Sequence, residues 1–294
     1  MARTIYNPFR SLLVSPSELH LALSRTSISP RRIVPVAAGR QSALQSYKAK
    51  HIPGSIFFNM DQIRDTTSSY PQMLPQPSHF ATSVTRLGLR SDDILVVYDT
   101  PEAGMYFSPR VAWVCRHFGH TDVHVLNNFP HYVKNGYPVS EGQPTLPPAE
   151  ESYPEREPPV PDDVITFEEL HVLLSTDKNQ RQYQILDARP AGQFSGEGTG
   201  PHISGHMPFA LNVPFSSVLG LDKTMLPAGR LREVFRGFGV QEDKPVVLSC
   251  NSGVTATVLE LALRVGGYDM KKRVYDGSWS EWRERARDRL VVAS

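Results

Sequence analysis

Short apolar runs recur along the chain, each of strand length and each followed by a longer stretch with apolar residues at helical spacing. ILVVY (94–98) and VVLS (246–249) are β-branched runs, while Val254, Val258, Leu261 and Leu263 to Val265 show helical spacing. Apolar strands alternating with helices predict an α/β fold with a central, mostly parallel sheet and helices on both faces. Ligands gather at the carboxyl ends of the strands in such sheets. Cys250, directly after VVLS, stands at that end.

The pattern occurs twice. IVPVAAGR (33–40) answers QILDARP (184–190), HIPGSIFFNMD (51–61) answers HMPFALNVPFS (206–216), and DDILVVYD (92–99) answers DKPVVLSC (243–250). Each copy then runs through a helical stretch to another short strand, VHVLNN (123–128) or RVYDG (273–277). Between the copies, Pro138, Pro144, Pro147, Pro148, Pro154, Pro158, Pro159 and Pro161 stand among acidic and small polar residues. Proline cannot continue a helix or a central strand, so this stretch reads as an extended tether. The division predicted is a first domain over 1–140, a Pro-rich linker over 141–162 and a second domain over 163–294.

A length of 294 residues with 40% hydrophobic and 21% charged composition fits two globular domains. The 31 basic and 30 acidic side chains leave a net charge of +1. That supplies no whole-chain field for nucleic acid or an anionic membrane. No apolar run reaches the roughly 18 residues of a membrane helix, so neither direct nucleic-acid binding nor a membrane partner is expected. Two cysteines, Cys115 and Cys250, make no disulfide scaffold and suit a reducing compartment. The first 32 residues carry Arg3, Arg10, Arg25, Arg31 and Arg32 against the single acid Glu18, the composition of a mitochondrial presequence. SPSELHLAL (15–23) also reads as the opening helix of a folded domain, with Ser15 as N-cap and Glu18 completing a capping box. The expected location is cytoplasmic, mitochondrial or both.

The chemistry concentrates in VVLSCNSGVTATVLELAL (246–263), a strand, a loop of small residues and a helix. A loop made of Asn251, Ser252, Gly253, Val254 and Thr255 can turn its N–H groups around the Cys250 sulfur while the following helix points its positive end there. Both effects favour thiolate over thiol and make Cys250 the candidate nucleophile. Gly253 permits the backbone conformation, and Ser252 and Thr255 add hydroxyl donors. A cysteine-dependent phosphatase would need arginine six positions after the cysteine to grip phosphate. Ala256 stands there instead. In the first copy Asp99 takes the place of Cys250, so that half reads as a catalytically inactive scaffold. Cys115 reads as a core residue, Trp279 and Trp282 as packing residues. His51 and His206 hold equivalent repeat positions and read as structural, with no metal implied.

CNSGVTA together with YDGSWSEW (275–282) resembles the active-site loop and C-terminal signature of the rhodanese superfamily. The likeness is closest to mercaptopyruvate sulfurtransferases, whose loop reads CGSGVTA, whereas thiosulfate sulfurtransferases carry CRKGVTA. In the first half, HIPGSIFF, YP-x-ML (70–74), DDILVVYD, SPRVAW (108–113) and LNNF (126–129) resemble fungal members linked to tRNA thiouridine. The resemblance implies two tandem rhodanese-like domains and a cofactor-free sulfurtransferase. Sulfur would pass from a small donor, 3-mercaptopyruvate or thiosulfate, through a Cys250 persulfide to a thiol or thioredoxin-like acceptor. Cysteine desulfurase and a tRNA-thiolation activating enzyme are the protein partners it implies.

The family pattern breaks near the implied substrate contacts. Mercaptopyruvate enzymes read DSR-x-x-GRF and continue toward GTEPEPR, where this chain has DARPAGQFSGEGTGPH (187–202). Arg189 matches the first arginine, Gln193 replaces the one credited with substrate binding, and the later arginine has no counterpart. Asp61 matches the acidic residue that works with the loop serine, here Ser252, but its histidine partner falls at Gln72. Three readings stay open: another donor, such as thiosulfate or a desulfurase persulfide; compensating contacts from Arg110 or Lys223; or drift around an intact nucleophile. A different class of function is a sulfur-relay or scaffold protein in tRNA thiolation with little small-molecule turnover.

Overall fold

In a sheet covered on both faces, alternate residues of one strand must both find apolar neighbours, and the runs of this chain meet that demand. The computed structural model describes residues 7–25, 31–142, 151–175, 182–197, 205–286 and 291–292. Contacts group the chain into two units, one of Met1–Thr66 with Pro75–Pro159 and the other of Thr67–Leu74 with Val160–Ser294.

In the first unit, β1 (Leu13–Val14), β2 (Ile33–Gly39), β3 (Ile56–Asn59), β4 (Ile94–Asp99) and β5 (Val123–Leu126) form a parallel sheet in the order β1-β5-β4-β2-β3. Its helices are α1 (Pro16–Ser24), α2 (Leu44–Ala49), α3 (Pro77–Arg86), α4 (Ser108–His117) and α5 (Phe129–Lys134). Ile94, Val96 and Tyr98 of β4 share a cluster with Leu19 of α1, Tyr47 of α2 and Phe129 of α5. Leu95 and Val97, pointing the other way by strand alternation, are equally buried. On that face α4 packs against the sheet, and Phe80 of α3 stacks on Phe118 with ring centroids 4.4 Å apart.

The opening helix forms as its capping signal predicts. The Ser15 hydroxyl accepts the Glu18 N–H at 3.3 Å and the Glu18 carboxylate accepts the Ser15 N–H at 2.9 Å. With β1 paired to β5, residues 13–24 belong to the folded unit. Residues 1–6 and 26–30 of the Arg-rich segment lie outside the described residues.

The second unit repeats the plan. β6 (Val164–Ile165), β7 (Gln184–Asp187), β8 (Ala210–Asn212), β9 (Val246–Ser249) and β10 (Lys272–Tyr275) pair in parallel in the order β6-β10-β9-β7-β8. Its helices are α6 (Phe167–Ser175), α7 (Ala191–Ser195), α8 (Ala228–Gly237), α9 (Ala256–Val265) and α10 (Ser278–Arg285). Leu170 and Leu174 of α6 pack with Ile185, Val247, Tyr275, Trp279 and Trp282 on one face. On the other, α9 packs against β9 and β10 with α8 beside it. Both tryptophans are buried, so their rings serve as core. Among the described residues no helix is long and apolar enough to cross a membrane.

The grouping differs from the sequence division at two places. The tether is not free over 151–159. The Tyr153 N–H donates to the Thr85 hydroxyl at 2.9 Å, its phenol meets His120 Nδ1 at 2.7 Å, and its ring packs edge-on against Phe80. Proline-rich backbone stays extended yet can lie along a surface, and one aromatic side chain with a buried partner suffices to anchor it. Pro144, Pro147 and Pro148 lie outside the described residues. Conversely, residues 67–74 of the first half join the second unit, where the Leu74 N–H donates to the Asp276 carboxylate at 2.6 Å. Proximity along the chain carries no information about such a crossing.

Candidate active site

Cys250 follows the last residue of β9 and is 2% exposed. The loop from 251 to 255 has no regular structure, and Gly253 takes the left-handed conformation at φ 74° that its missing Cβ allows. Three consecutive residues after β10 hold this loop. The Ser278 hydroxyl oxygen accepts the N–H groups of Cys250 (3.1 Å) and Gly253 (3.0 Å) and donates to the Tyr275 carbonyl at 2.8 Å. The Trp279 N–H donates to the Cys250 carbonyl at 2.9 Å. Ser280 donates both its N–H (3.0 Å) and its hydroxyl (2.7 Å) to the Asn251 carbonyl. The N–H groups of Asn251, Ser252, Val254 and Thr255 find no acceptor among the described residues. They are the donors left for an anion beside the sulfur, at the N-terminus of the ten-residue α9.

The predicted residues divide between the units. Cys250, Asn251, Ser252, Gly253, Val254, Thr255, Arg189 and Gln193 lie in the second unit, whereas Asp61 and Arg110 lie in the first. The Asp61 carboxylate accepts Arg40 Nε at 2.8 Å and the Gln41 N–H at 2.9 Å. Partial burial opposes its charge, but the Gln41 and Arg40 bonds outweigh that and hold it below the usual carboxylate range. Arg110 is buried with its guanidinium over the Trp113 ring, 4.8 Å from the centroid. Gln193 sits half-buried in α7, and GTGPHIS (198–204) beyond it lies outside the described residues. Gln72, at φ 62°, belongs to the segment that joins the second unit.

Arg189 departs from the expectation of a substrate contact. It is 1% exposed and bonded to the fully buried Asp187, with Nη2 to Oδ2 at 2.6 Å and Nε to both carboxylate oxygens at 3.0 Å. Nη2 also donates to the Gly205 carbonyl at 3.1 Å, and the guanidinium lies 4.5 Å from the Trp279 ring centroid. These contacts tie the end of β7 to the helix whose backbone holds Cys250, while Nη1 is buried without a partner among the described residues.

The first unit carries the same architecture with another occupant. Strand alternation puts Tyr98 and Ser249 on one face, and Asp99 and Cys250 on the other. The Asp99 carboxylate accepts the N–H groups of Tyr106 (3.1 Å), Phe107 (2.7 Å) and Ser108 (3.0 Å) together with the Ser108 hydroxyl. The chain's own carboxylate thus fills the donor cradle. Burial pushes the Asp99 carboxyl up to about 6, with its four donors working in the opposite direction.

Cys115 is buried in α4, where burial pushes its thiol up to about 12, and it is a core residue. His51 Nδ1 faces the Tyr47 carbonyl and His206 Nδ1 the Phe194 carbonyl, each at 3.0 Å. Each also forms an isolated antiparallel bridge, His51 with Ser140 and His206 with Val292. Sequence reasoning passed over Ser278 and Ser280. The available signal was a Gly-Ser pair one residue after a strand, in a segment read only for its tryptophans.

A model of the rhodanese-like domain matches residues 166–285. Thiosulfate sulfurtransferase of Gallus gallus is 39% identical over 255 residues, 84% of this chain and 83% of that protein. The human 3-mercaptopyruvate sulfurtransferase is 35% identical over 258 residues, 86% of this chain and 84% of that one. This chain belongs to the rhodanese superfamily of sulfurtransferases. Among solved structures, Tum1 of Saccharomyces cerevisiae superposes with a TM-score of 0.86 at 31% identity, covering 96% of this chain and 97% of that one. A yeast sulfur transferase described as a sub-stoichiometric subunit of mitochondrial complex I gives 0.84 at 31% identity, covering 96% and 99%. The two parallel-sheet units are thus a tandem rhodanese fold, and the chain is a sulfurtransferase.

Two outcomes follow from this geometry. Arg189→Ala in this sulfurtransferase leaves Asp187 buried without its partner and is expected to lower the unfolding free energy by about 3–5 kcal/mol in urea titration. A rise in donor KM at unchanged stability would instead put Arg189 on the substrate. Asp99 has a raised carboxyl, so its contribution to stability is full below the unfolded value of 3.8 and is lost as pH rises through about 6. Between pH 4 and 7 the unfolding free energy from urea titration should fall by an amount on the order of 3 kcal/mol more in the wild type than in Asp99→Asn. Parallel pH profiles would contradict that assignment.

Proposed function

We propose that this sulfurtransferase carries sulfur on Cys250, taking it from 3-mercaptopyruvate, or from thiosulfate, and passing it to a thiol. The observation that carries the reading is the loop itself. Cys250 closes β9 beside four unengaged N–H groups at a helix N-terminus, while the first unit's equivalent cradle is filled by Asp99. In the first step the Cys250 thiolate attacks the sulfur of the donor and the carbon–sulfur bond of mercaptopyruvate breaks. The electron pair leaves on pyruvate enolate, which takes a proton, and Cys250 becomes a persulfide. With thiosulfate the sulfur–sulfur bond breaks and sulfite leaves. In the second step an acceptor thiolate attacks the outer sulfur and Cys250 departs as thiolate. The loop N–H groups hold negative charge in both steps, the role of an oxyanion-hole donor set. The first unit then serves as scaffold, and Cys115 takes no part. A cytoplasmic or mitochondrial setting, which keeps both cysteines reduced, suits this chemistry.

Sulfur relay to a protein acceptor is favoured by one observation. Gln193 stands where the family carries a substrate arginine, and Arg189 nearby is committed to Asp187. A carboxylate donor then loses charge-assisted contacts, whereas a persulfide delivered by a desulfurase needs none. Relay onward to a thioredoxin-like protein or a tRNA-thiolation activating enzyme is the form this reading takes.

Incubation with mercaptopyruvate, thiosulfate or a persulfidated desulfurase should add one sulfur to the Cys250 peptide by mass spectrometry. No gain with any of the three would end the proposal. Rates to a protein acceptor well above those to a small thiol would favour relay, and equal rates would count against it. Gln193→Arg should regain a contact of about 1.5–3 kcal/mol, roughly 10–150-fold in kcat/KM for mercaptopyruvate, with less change for thiosulfate. An unchanged mercaptopyruvate kcat/KM in the folded variant would mean that the donor is held elsewhere.

A further inference from the structure

Ser278 is a buried residue at φ 50°, in the left-handed region that disfavours any side chain with a Cβ. Such an outlier persists only where its surroundings over-determine it. Here they do so on three sides. Its hydroxyl donates to the Tyr275 carbonyl at 2.8 Å and accepts two N–H groups from a segment 25 and 28 residues earlier. On one side stands Gly277, where an added Cβ would overlap the Glu281 side chain, so the turn tolerates no bulk. One residue before Gly277, Asp276 is held by the Leu74 N–H at 2.6 Å, which braces the turn with the 67–74 segment.

The two N–H groups that Ser278 takes up are those of Cys250 and Gly253, which bracket Asn251 and Ser252 in the loop. With those two amides engaged by Ser278, the N–H groups of the intervening Asn251 and Ser252 are left unengaged among the described residues. We infer that Ser278 is a positioning residue of this enzyme, whose hydroxyl sets the loop so that its remaining N–H groups face the Cys250 sulfur. The role rests on the proposed function only in taking Cys250 as the reacting group. Serine supplies what neither neighbour in size does. Glycine would relax the backbone and lose the acceptor, and alanine would keep the strain and lose the acceptor.

That contrast supplies the test. Ser278→Gly and Ser278→Ala are made in the full chain, and alkylation of Cys250 by iodoacetamide is followed from pH 5 to 10, with mass spectrometry separating Cys250 from Cys115. A positioning role moves the reactivity profile of Cys250 toward higher pH in both variants. Sulfur-transfer kcat then falls on the order of 100-fold, as a small misplacement of a reacting group does, with the donor KM near its wild-type value. Ser278→Gly relieves the left-handed backbone strain and so loses less melting temperature than Ser278→Ala, which keeps the strain and loses the same hydrogen bonds. A Ser278→Gly protein with the wild-type alkylation profile and kcat would overturn the inference and leave Ser278 a residue of the turn alone. Alkylation needs no sulfur donor, so a wild-type chain that gains no sulfur on Cys250 would sink the proposed function while leaving this readout intact.

Discussion

The buried pair of Asp187 and Arg189 is the contact around which the second unit's site is arranged. Neither side chain meets solvent, and the guanidinium is held by the carboxylate, by the Gly205 carbonyl and by the face of Trp279. Two charges withdrawn from water are tolerable only with this density of partners. Once formed, the pair joins the end of β7 to the start of α10, and α10 in turn supplies the groups that hold the Cys250 loop. A strand end, a helix start and the loop after Cys250 are thereby tied together, although the loop has no regular structure to stiffen it.

The two repeats show what a conserved scaffold leaves open to change. Each places one residue at the same strand end, above donors from the backbone that follows. In the first unit the loop over 100–107 is longer, and its donors close on the carboxylate of Asp99. In the second the loop is shorter, and part of its backbone is turned away to Ser278. One arrangement satisfies its own donors, and the other leaves four of them without an acceptor among the described residues beside Cys250. The difference lies in loop length, in the residue at the strand end and in the Ser278 hydroxyl, with the sheet order unchanged between the copies.

Exchange of segments between the copies follows from the same economy of burial. Residues 67–74 cross to the second unit and brace the turn that carries Ser278, while Tyr153 anchors the tether to the first. Each crossing satisfies a backbone N–H or buries an aromatic ring, contacts that a proline-rich or irregular segment cannot make within itself.

The sequence by itself determined the repeated α/β plan, the opening helix of the first unit, the strand–loop–helix around Cys250, and Asp99 as its counterpart. These are local signals: strand and helix periodicities, a capping pair three residues apart, and a cysteine at a strand end are each written in a few consecutive positions. Only the tertiary structure decided that Arg189 is a buried partner of Asp187 and not a free clamp. Only the tertiary structure, too, disclosed that the serines of SWSEW hold the loop, and that 67–74 belongs with the second half. Each of these depends on which groups meet after distant parts of the chain have packed. An arginine two residues past a strand reads the same from sequence whether it faces solvent or an indole ring, because burial and hydrogen-bond partners are properties of the packed neighbourhood and have no period along the chain.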